Sequence, residues 1–277
     1  MSFLRALPLV ALALTPGAAL AERVVSIGGS VTEIVFALGE GDRLVARDTT
    51  STYPAEAQDL PDVGYVRQLS PEGVMAMAPD LILTEAGAGP AETMDLLRHA
   101  AIPMVEVAEG YTPEAVEAKI TTIADALGVP EKGQELAASV RARIDEARAK
   151  IGTERPRVLF VLSLASGRVM AAGGNTSAEA IIELAGGVNA LDGYEGYKQI
   201  SDEAVMAAAP DVVLMMDREG DHAAANAELI AHPAFAATQA AQNGRIIRMD
   251  GLLLLGFGPR LGEAVSQLAA DLHPNGG

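Results

Sequence analysis

The sequence predicts an α/β protein of two similar lobes, each built on a mainly parallel sheet flanked by helices. A single long α-helix joins them, and a ligand cleft lies between. Three observations carry this reading. Residues 69–83, LSPEGVMAMAPDLIL, recur at 200–214 as ISDEAVMAAAPDVVL, a constant offset of 131. Short apolar runs alternate with helical patterns, the mark of a parallel sheet covered by helices. One stretch, 130–151, carries helix formers and no strand signal.

Each element has a local cause. Residues 24–27 form a buried strand, and Gly28-Gly29 follow it. A helix is expected over 30–38, with Ser30 as N-cap and Glu33 completing a capping box. A second strand covers 44–46. Ser70 caps the next helix, and Pro71 occupies its first turn, where a missing N–H costs nothing. Residues 81–84 and 104–107 are strands, with helical patterns at 91–99 and 112–126. The helix at 130–151 would span roughly 33 Å at 1.5 Å per residue. Gly152-Thr153 end it, and a strand at 158–162 opens the second series. Gly173-Gly174 then precede a helix at 177–184, echoing Gly28-Gly29. Strands at 212–215 and 246–249 and a helix at 260–272 complete the chain. The lobes are therefore expected at 22–129 and 152–277. One connecting helix, 130–151, predicts a rigid spacer and only a small lobe rotation.

Composition narrows the function. Residues 1–21 hold Arg5, an apolar run at 7–14 and a small-x-small end at Ala19-Leu20-Ala21, the form of a secretory signal peptide. The run is far shorter than the roughly 20 residues that span a bilayer. Export to the periplasm is expected, with the mature chain starting at Glu22. Losing Arg5 takes the net charge from −17 to −18. Such a surface repels nucleic acid and suits a basic protein partner. The chain has no cysteine, which excludes disulfides, thiolate metal sites and Fe–S clusters. A chain of this length folds on its core alone, and a monomer is expected.

Enzyme motifs are missing. The sequence has no phosphate loop of the G-x-x-x-x-G-K-[ST] type, no H-E-x-x-H and no G-x-S-x-G. His99, His222, His232 and His273 stand far apart and read as solvated or capping residues. Residues 256–262 resemble a dinucleotide loop, but Pro259 deletes a donor; they read as a strand-to-helix turn. Met75, Met77 and Met206 have the spacing of core packing within the repeated helix.

Tyr65 lies in a connecting segment before a helix, where parallel sheets present ligand groups. A phenol there can pack, hydrogen-bond or ligate ferric iron. Phenols are protonated in neutral solution, so ligation needs the iron's charge. Arg67, two residues on, can add a hydrogen bond to the phenolate. On the residues alone, packing and ligation are equally served. Glu72 and Glu203 are related by the repeat, each in the first turn of its helix, where the dipole favours a carboxylate. Two acidic studs on one face also fit basic sockets of a two-fold symmetric partner.

Four segments resemble the periplasmic solute-binding proteins of haem ABC importers, within a group that also binds siderophores and cobalamin. They are VSIGGSVTE at 25–33, RDTTSTYP at 47–54, GYVRQLSPEG at 64–73 and DGLLLLGFGPR at 250–260. The resemblance implies that Tyr65 is the axial ligand of ferric haem and Arg67 its hydrogen-bonding partner. It implies that Glu72 and Glu203 dock on arginines of the permease dimer, which works with its ATPase. It implies haem as the transported ligand and no catalytic residue. Residues 162–167 offer no second axial histidine, so five-coordinate haem is expected, with Tyr194 or Tyr197 on the opposite lobe and Phe257 against the porphyrin. A ferric-siderophore or cobalamin binder is the alternative within the group, and an exported α/β enzyme is the alternative outside it.

Overall fold

The computed structural model describes residues 22–217 and 226–274. The expected signal peptide, residues 1–21, and His222 lie outside them.

The first lobe runs β1 (Val24–Ile27), α1 (Gly29–Ala37), β2 (Leu44–Arg47), α2 (Pro71–Ala76), β3 (Leu81–Glu85), α3 (Ala91–His99), β4 (Met104–Val107) and α4 (Pro113–Leu127). Its four strands form a parallel sheet in the order β2-β1-β3-β4. Every residue of β1 is buried, as expected of a strand covered on both faces. The chain leaves β1 for β2 on one side and returns to β3 on the other. A crevice therefore opens at the carboxyl ends of β1 and β3.

The start of α1 differs from the expected capping box. Gly28 is the N-cap, at φ 114°, and no side chain caps the helix locally. Ser30 and Glu33 lie inside the helix and are buried. The cap comes from 20 residues away, where Asp48 Oδ1 accepts the Gly28 N–H at 2.9 Å. Asp48 is fully buried and also accepts from Thr50 N, Thr50 Oγ1 and Ser51 Oγ, at 3.0, 2.6 and 2.7 Å. A buried carboxylate with four donors is well satisfied.

The connecting helix is α5 (Pro130–Ala149). The second lobe follows with β5 (Arg157–Ala165), β6 (Arg168–Ala172), α6 (Ser177–Leu184), β7 (Val188–Asn189), β8 (Tyr197–Ile200), α7 (Asp202–Ala208), β9 (Val212–Asp217), α8 (Asn226–Ala231), α9 (Pro233–Ala236), α10 (Gln239–Gln242), β10 (Ile246–Asp250), α11 (Gly251–Leu255) and α12 (Leu261–Leu272). Its sheet has the order β10-β9-β5-β6-β8 and is mixed: β10, β9 and β5 are parallel, and β6 runs antiparallel to both β5 and β8. The β5–β6 hairpin turns on Ser166-Gly167, both at positive φ, the geometry of a two-residue turn matched to strand twist.

The internal repeat is a repeat of structure. Ser70 Oγ accepts from Gly73 N, and Ser201 Oγ from Ala204 N, each at 3.2 Å. Ala78 and Ala209, which end the two helices, share φ 45°. Asp80 of the first Pro-Asp turn accepts the Arg23 N–H, and Asp211 of the second accepts the Arg157 N–H. Those arginines fold back onto the helix ends, at Ala78 O and Ala208 O. Each turn is thus pinned to the start of the strand beside it.

One buried core runs through β1, α1, α4, α5, β5, α6, β9 and α12. Val140 and Ile144 of α5 meet Leu261, Val265 and Leu268 of α12 in it. The connecting helix is therefore packed along its length, not a free strut.

Candidate functional site

The carboxyl ends of both sheets face one cavity of about 860 Å³. That lies within the roughly 300–1,000 Å³ usual for small-molecule sites. The first lobe contributes Thr49 after β2, Glu85 and Ala86 at the end of β3, and Val107 and Ala108 at the end of β4. The second contributes Leu162 of β5, Met216 and Asp217 of β9, and Asp250 to Leu252 after β10.

Tyr65 and Arg67 both line this cavity. Their loop is fixed at three points: Gly64 N donates to Asp62 Oδ1 at 2.7 Å, Thr49 N to Gly64 O at 3.0 Å, and Gly89 N to Val66 O at 2.9 Å. Gly64 sits at φ 103°, so the bend that raises Tyr65 needs glycine. Val66 between them is 3 % exposed, while Tyr65 is 44 % exposed. The buried valine anchors the loop and leaves its two polar neighbours projecting.

Opposite, Tyr197 begins β8 and lines the cavity with Ser177. Its hydroxyl lies 3.3 Å from Ser177 Oγ, and its ring meets Phe160 edge-on at 6.2 Å. Burial pushes its phenol up from the usual range. Tyr194 and Phe257, expected in the pocket, do not line it. Tyr194 donates to Ala171 O at 3.0 Å, covers Gly173 and lies under Lys198. Phe257, at φ 48°, is 1 % exposed and turns into the shared core.

The structure adds groups that the sequence reading missed. Tyr111 lines the cavity, packs edge-on against Phe257 at 5.5 Å and donates its hydroxyl to Glu109. It lies in the segment before α4 as Tyr65 lies in the segment before α2, so the same signal was present. Glu85 and Lys119 also line the cavity and are largely buried. Burial, then the Asp48 charge, pushes the Glu85 carboxyl up to about 7. Burial lowers the Lys119 ammonium, which donates to Gly256 O and Phe257 O at 3.4 and 3.2 Å. Neither Glu nor Lys carries a sequence sign of burial here; only the fold encloses them.

Glu72 and Glu203 are exposed, on α2 and α7. A hydrogen bond from each residue's own amide, then one from Ser70 or Ser201, holds each carboxyl below the usual range. Among the described histidines, His99 bonds Asp95 O and His232 caps α9; neither they nor His273 line the cavity.

Two α/β sheets with their strand ends converging on one open cleft define a two-lobed solute-binding protein. The chain belongs to the periplasmic binding protein family, whose model matches residues 24–252. Among solved structures it is similar to the periplasmic heme-binding protein BhuT in complex with two hemes, at 42 % identity and TM-score 0.86, covering 91 % of this chain and 98 % of that one. The apo form of the periplasmic heme-binding protein RhuT from Roseiflexus sp. RS-1 is 39 % identical with TM-score 0.88, covering 92 % and 98 %. A vitamin B12-binding protein of Yersinia pestis (strain Pestoides F) is 30 % identical over 73 % of this chain and 72 % of its own. The ABC transporter substrate-binding lipoprotein YvrC of Bacillus subtilis is 26 % identical over 92 % and 81 %.

Proposed function

We propose that the protein binds ferric haem in the cavity between its lobes, with the Tyr65 phenolate as axial ligand, and delivers it to an ABC import permease. One observation carries this reading: Tyr65 and Arg67 project together into the cavity from a loop pinned on both sides. The donor set suits the ligand. A phenolate is a hard ligand for ferric iron, whose own charge favours the anionic form, and Arg67 lines the same cavity as a hydrogen-bond donor. The aliphatic and aromatic walls, Val107, Leu162, Tyr197, Leu252 and Leu255, can cover a flat apolar macrocycle. Burial at about 25 cal/mol per Å² then supplies most of the affinity. The likeness to two heme-binding proteins at about 40 % identity supports the same ligand. On this reading the protein carries its ligand without transforming it. Export to the periplasm, Arg67 beside the iron ligand, and docking of Glu72 and Glu203 on a permease dimer belong to the same proposal.

Titration of the purified apoprotein with ferric haem, followed by its visible spectrum, tests this. The expected result is a tyrosinate-type charge-transfer band that is lost in Tyr65→Phe. A band unchanged by Tyr65→Phe overturns the assignment. The vitamin B12-binding relatives give cobalamin a specific claim. Cobalamin that binds the apoprotein and displaces haem would favour that ligand instead.

A further inference from the structure

Met75 and Met206 occupy equivalent positions in the repeat, and both are exposed, at 39 % and 45 %. This corrects the expectation that they pack in the core. The inward positions of their helices are taken by Val74 and Val205, each fully buried. Met77 alone of the three packs against a core cluster. Each exposed methionine lies three residues after a docking carboxylate, Glu72 before Met75 and Glu203 before Met206. That spacing places the two side chains on one face of a helix. The chain thus repeats a compound stud: a charge at the helix start and a thioether one turn on. Ala76 and Ala207, also exposed, keep the adjoining surface low.

We infer that Met75 and Met206 are apolar anchors of the surface on which Glu72 and Glu203 dock. The partner is a two-fold symmetric membrane permease that presents, twice, an apolar pocket beside a basic side chain. This rests on the docking role proposed above. Two copies of one stud on a single chain call for two copies of one socket, which a homodimer supplies. The carboxylates are fully exposed and meet an oppositely charged partner, so they steer the encounter and set its orientation. Exposed ion pairs add little lasting affinity. Residence time then falls to the groups that leave water on contact. Methionine suits that task, because its flexible, polarizable chain fills pockets of irregular shape.

The two kinds of residue separate kinetically. Binding of the haem-loaded protein to the haem-importing permease–ATPase complex of its source organism, held in lipid nanodiscs, is followed by surface plasmon resonance. Met75→Ala and Met206→Ala are each expected to raise the dissociation rate about 3- to 10-fold, with the association rate and its salt dependence within two-fold of wild type. Glu72→Gln and Glu203→Gln are expected to lower the association rate and flatten its salt dependence. Met75→Leu restores most of the residence time. Leu96→Ala, an exposed apolar residue outside the repeat, leaves both rates unchanged. Haem titration of each variant shows that its fold and cavity are intact. If the Met75→Ala/Met206→Ala double variant dissociates at the wild-type rate while the glutamine variants bind slowly, the anchors are disproved and the docking face stands. If neither set alters binding, the docking face fails, and the anchors with it.

Discussion

Arg260 grips Glu33 across 227 residues of sequence, its Nε and Nη2 donating to the two carboxylate oxygens at 3.1 and 3.0 Å. Its backbone amide adds a third bond at 3.2 Å. The guanidinium lies 3.6 Å from the centre of the Tyr53 ring. Glu33, Tyr53 and Arg260 come from three of the four segments that carry the family resemblance, so those segments converge in space. The pair ties α1 to the start of α12, and Lys119 adds a second tie at Gly256 and Phe257. These ties, with the shared core, explain how a long connecting helix holds two lobes at a set distance.

Breaking that grip should be costly. Burial outweighs the guanidinium and keeps the Glu33 carboxyl above the usual range. Arg260→Ala leaves this carboxyl buried and unpaired, and about 3 kcal/mol of stability should be lost at neutral pH. The loss should shrink as pH falls and Glu33 takes up a proton. Glu33→Leu/Arg260→Met should recover most of it, since an apolar pair avoids the desolvation of both charges. Urea denaturation at pH 5 and pH 7.5 measures both effects.

Glu85 makes stability fall as pH rises. Its folded value, about 7, lies above its unfolded one, near 4.5. Between those values the folded state holds a proton that the unfolded state has released, so each step upward in pH favours unfolding. The contribution is full below about pH 4.5 and gone above about pH 7. Asp48 and Glu109 oppose its ionisation, while Lys119 and Arg67 favour it. Glu85→Gln should therefore stabilise the protein at pH 8, by on the order of 1–3 kcal/mol, and give little gain at pH 4.5. Thermal melts across that range would show the two proteins converging toward acid.

Gly28 separates backbone strain from overlap. It sits at φ 114°, and a Cβ there would run into the Glu85 carboxylate. Gly87 shares a positive φ, at 78°, but a Cβ there meets open space. Gly87→Ala should cost about 1 kcal/mol, the strain of the left-handed region alone. Gly28→Ala should cost at least about twice that, because Glu85 must also move. It should also weaken haem binding, since Glu85 lines the cavity. Paired denaturation and haem titrations test the contrast.

Local signals made most of the fold legible. The strands at 24–27 and 104–107, the helices at 91–99 and 177–184 and the Ser70 cap needed only periodicity and capping chemistry. Where a distant residue replaced a local one, the reading failed. Asp48 caps α1 from another loop, so the Ser30 and Glu33 capping box never forms, and Glu33 turns to Arg260 instead. The strands β6 and β8 were missed. Tyr197–Ile200, exposed along most of its length, lacks the apolar alternation of a half-buried strand. The Ser166-Gly167 turn was the one local clue to that hairpin. The site divided the same way. Tyr65 stood in a connecting segment just before a helix and could be found. Lys119 lies on α4 and enters the cavity only because the carbonyls of Gly256 and Phe257 draw it there.

Each lobe presents a tyrosine to the cavity, Tyr65 from the first and Tyr197 from the second, in different surroundings. Tyr197 is hydrogen-bonded to Ser177 and edge-on to Phe160, and burial pushes its phenol up from the usual range. Such a site keeps a phenol neutral. Tyr65 is more exposed, stands on a pinned loop and has Arg67 two residues away. Tyr197→Phe should therefore keep the ferric-haem charge-transfer band and weaken binding by no more than about 5-fold, the loss of one neutral hydrogen bond. Tyr65→Phe should remove the band altogether, and Arg67→Ala should keep it while weakening haem binding. Spectra of the three variants with ferric haem test the assignment. A band that disappears in Tyr197→Phe and survives in Tyr65→Phe would move the iron to the other lobe.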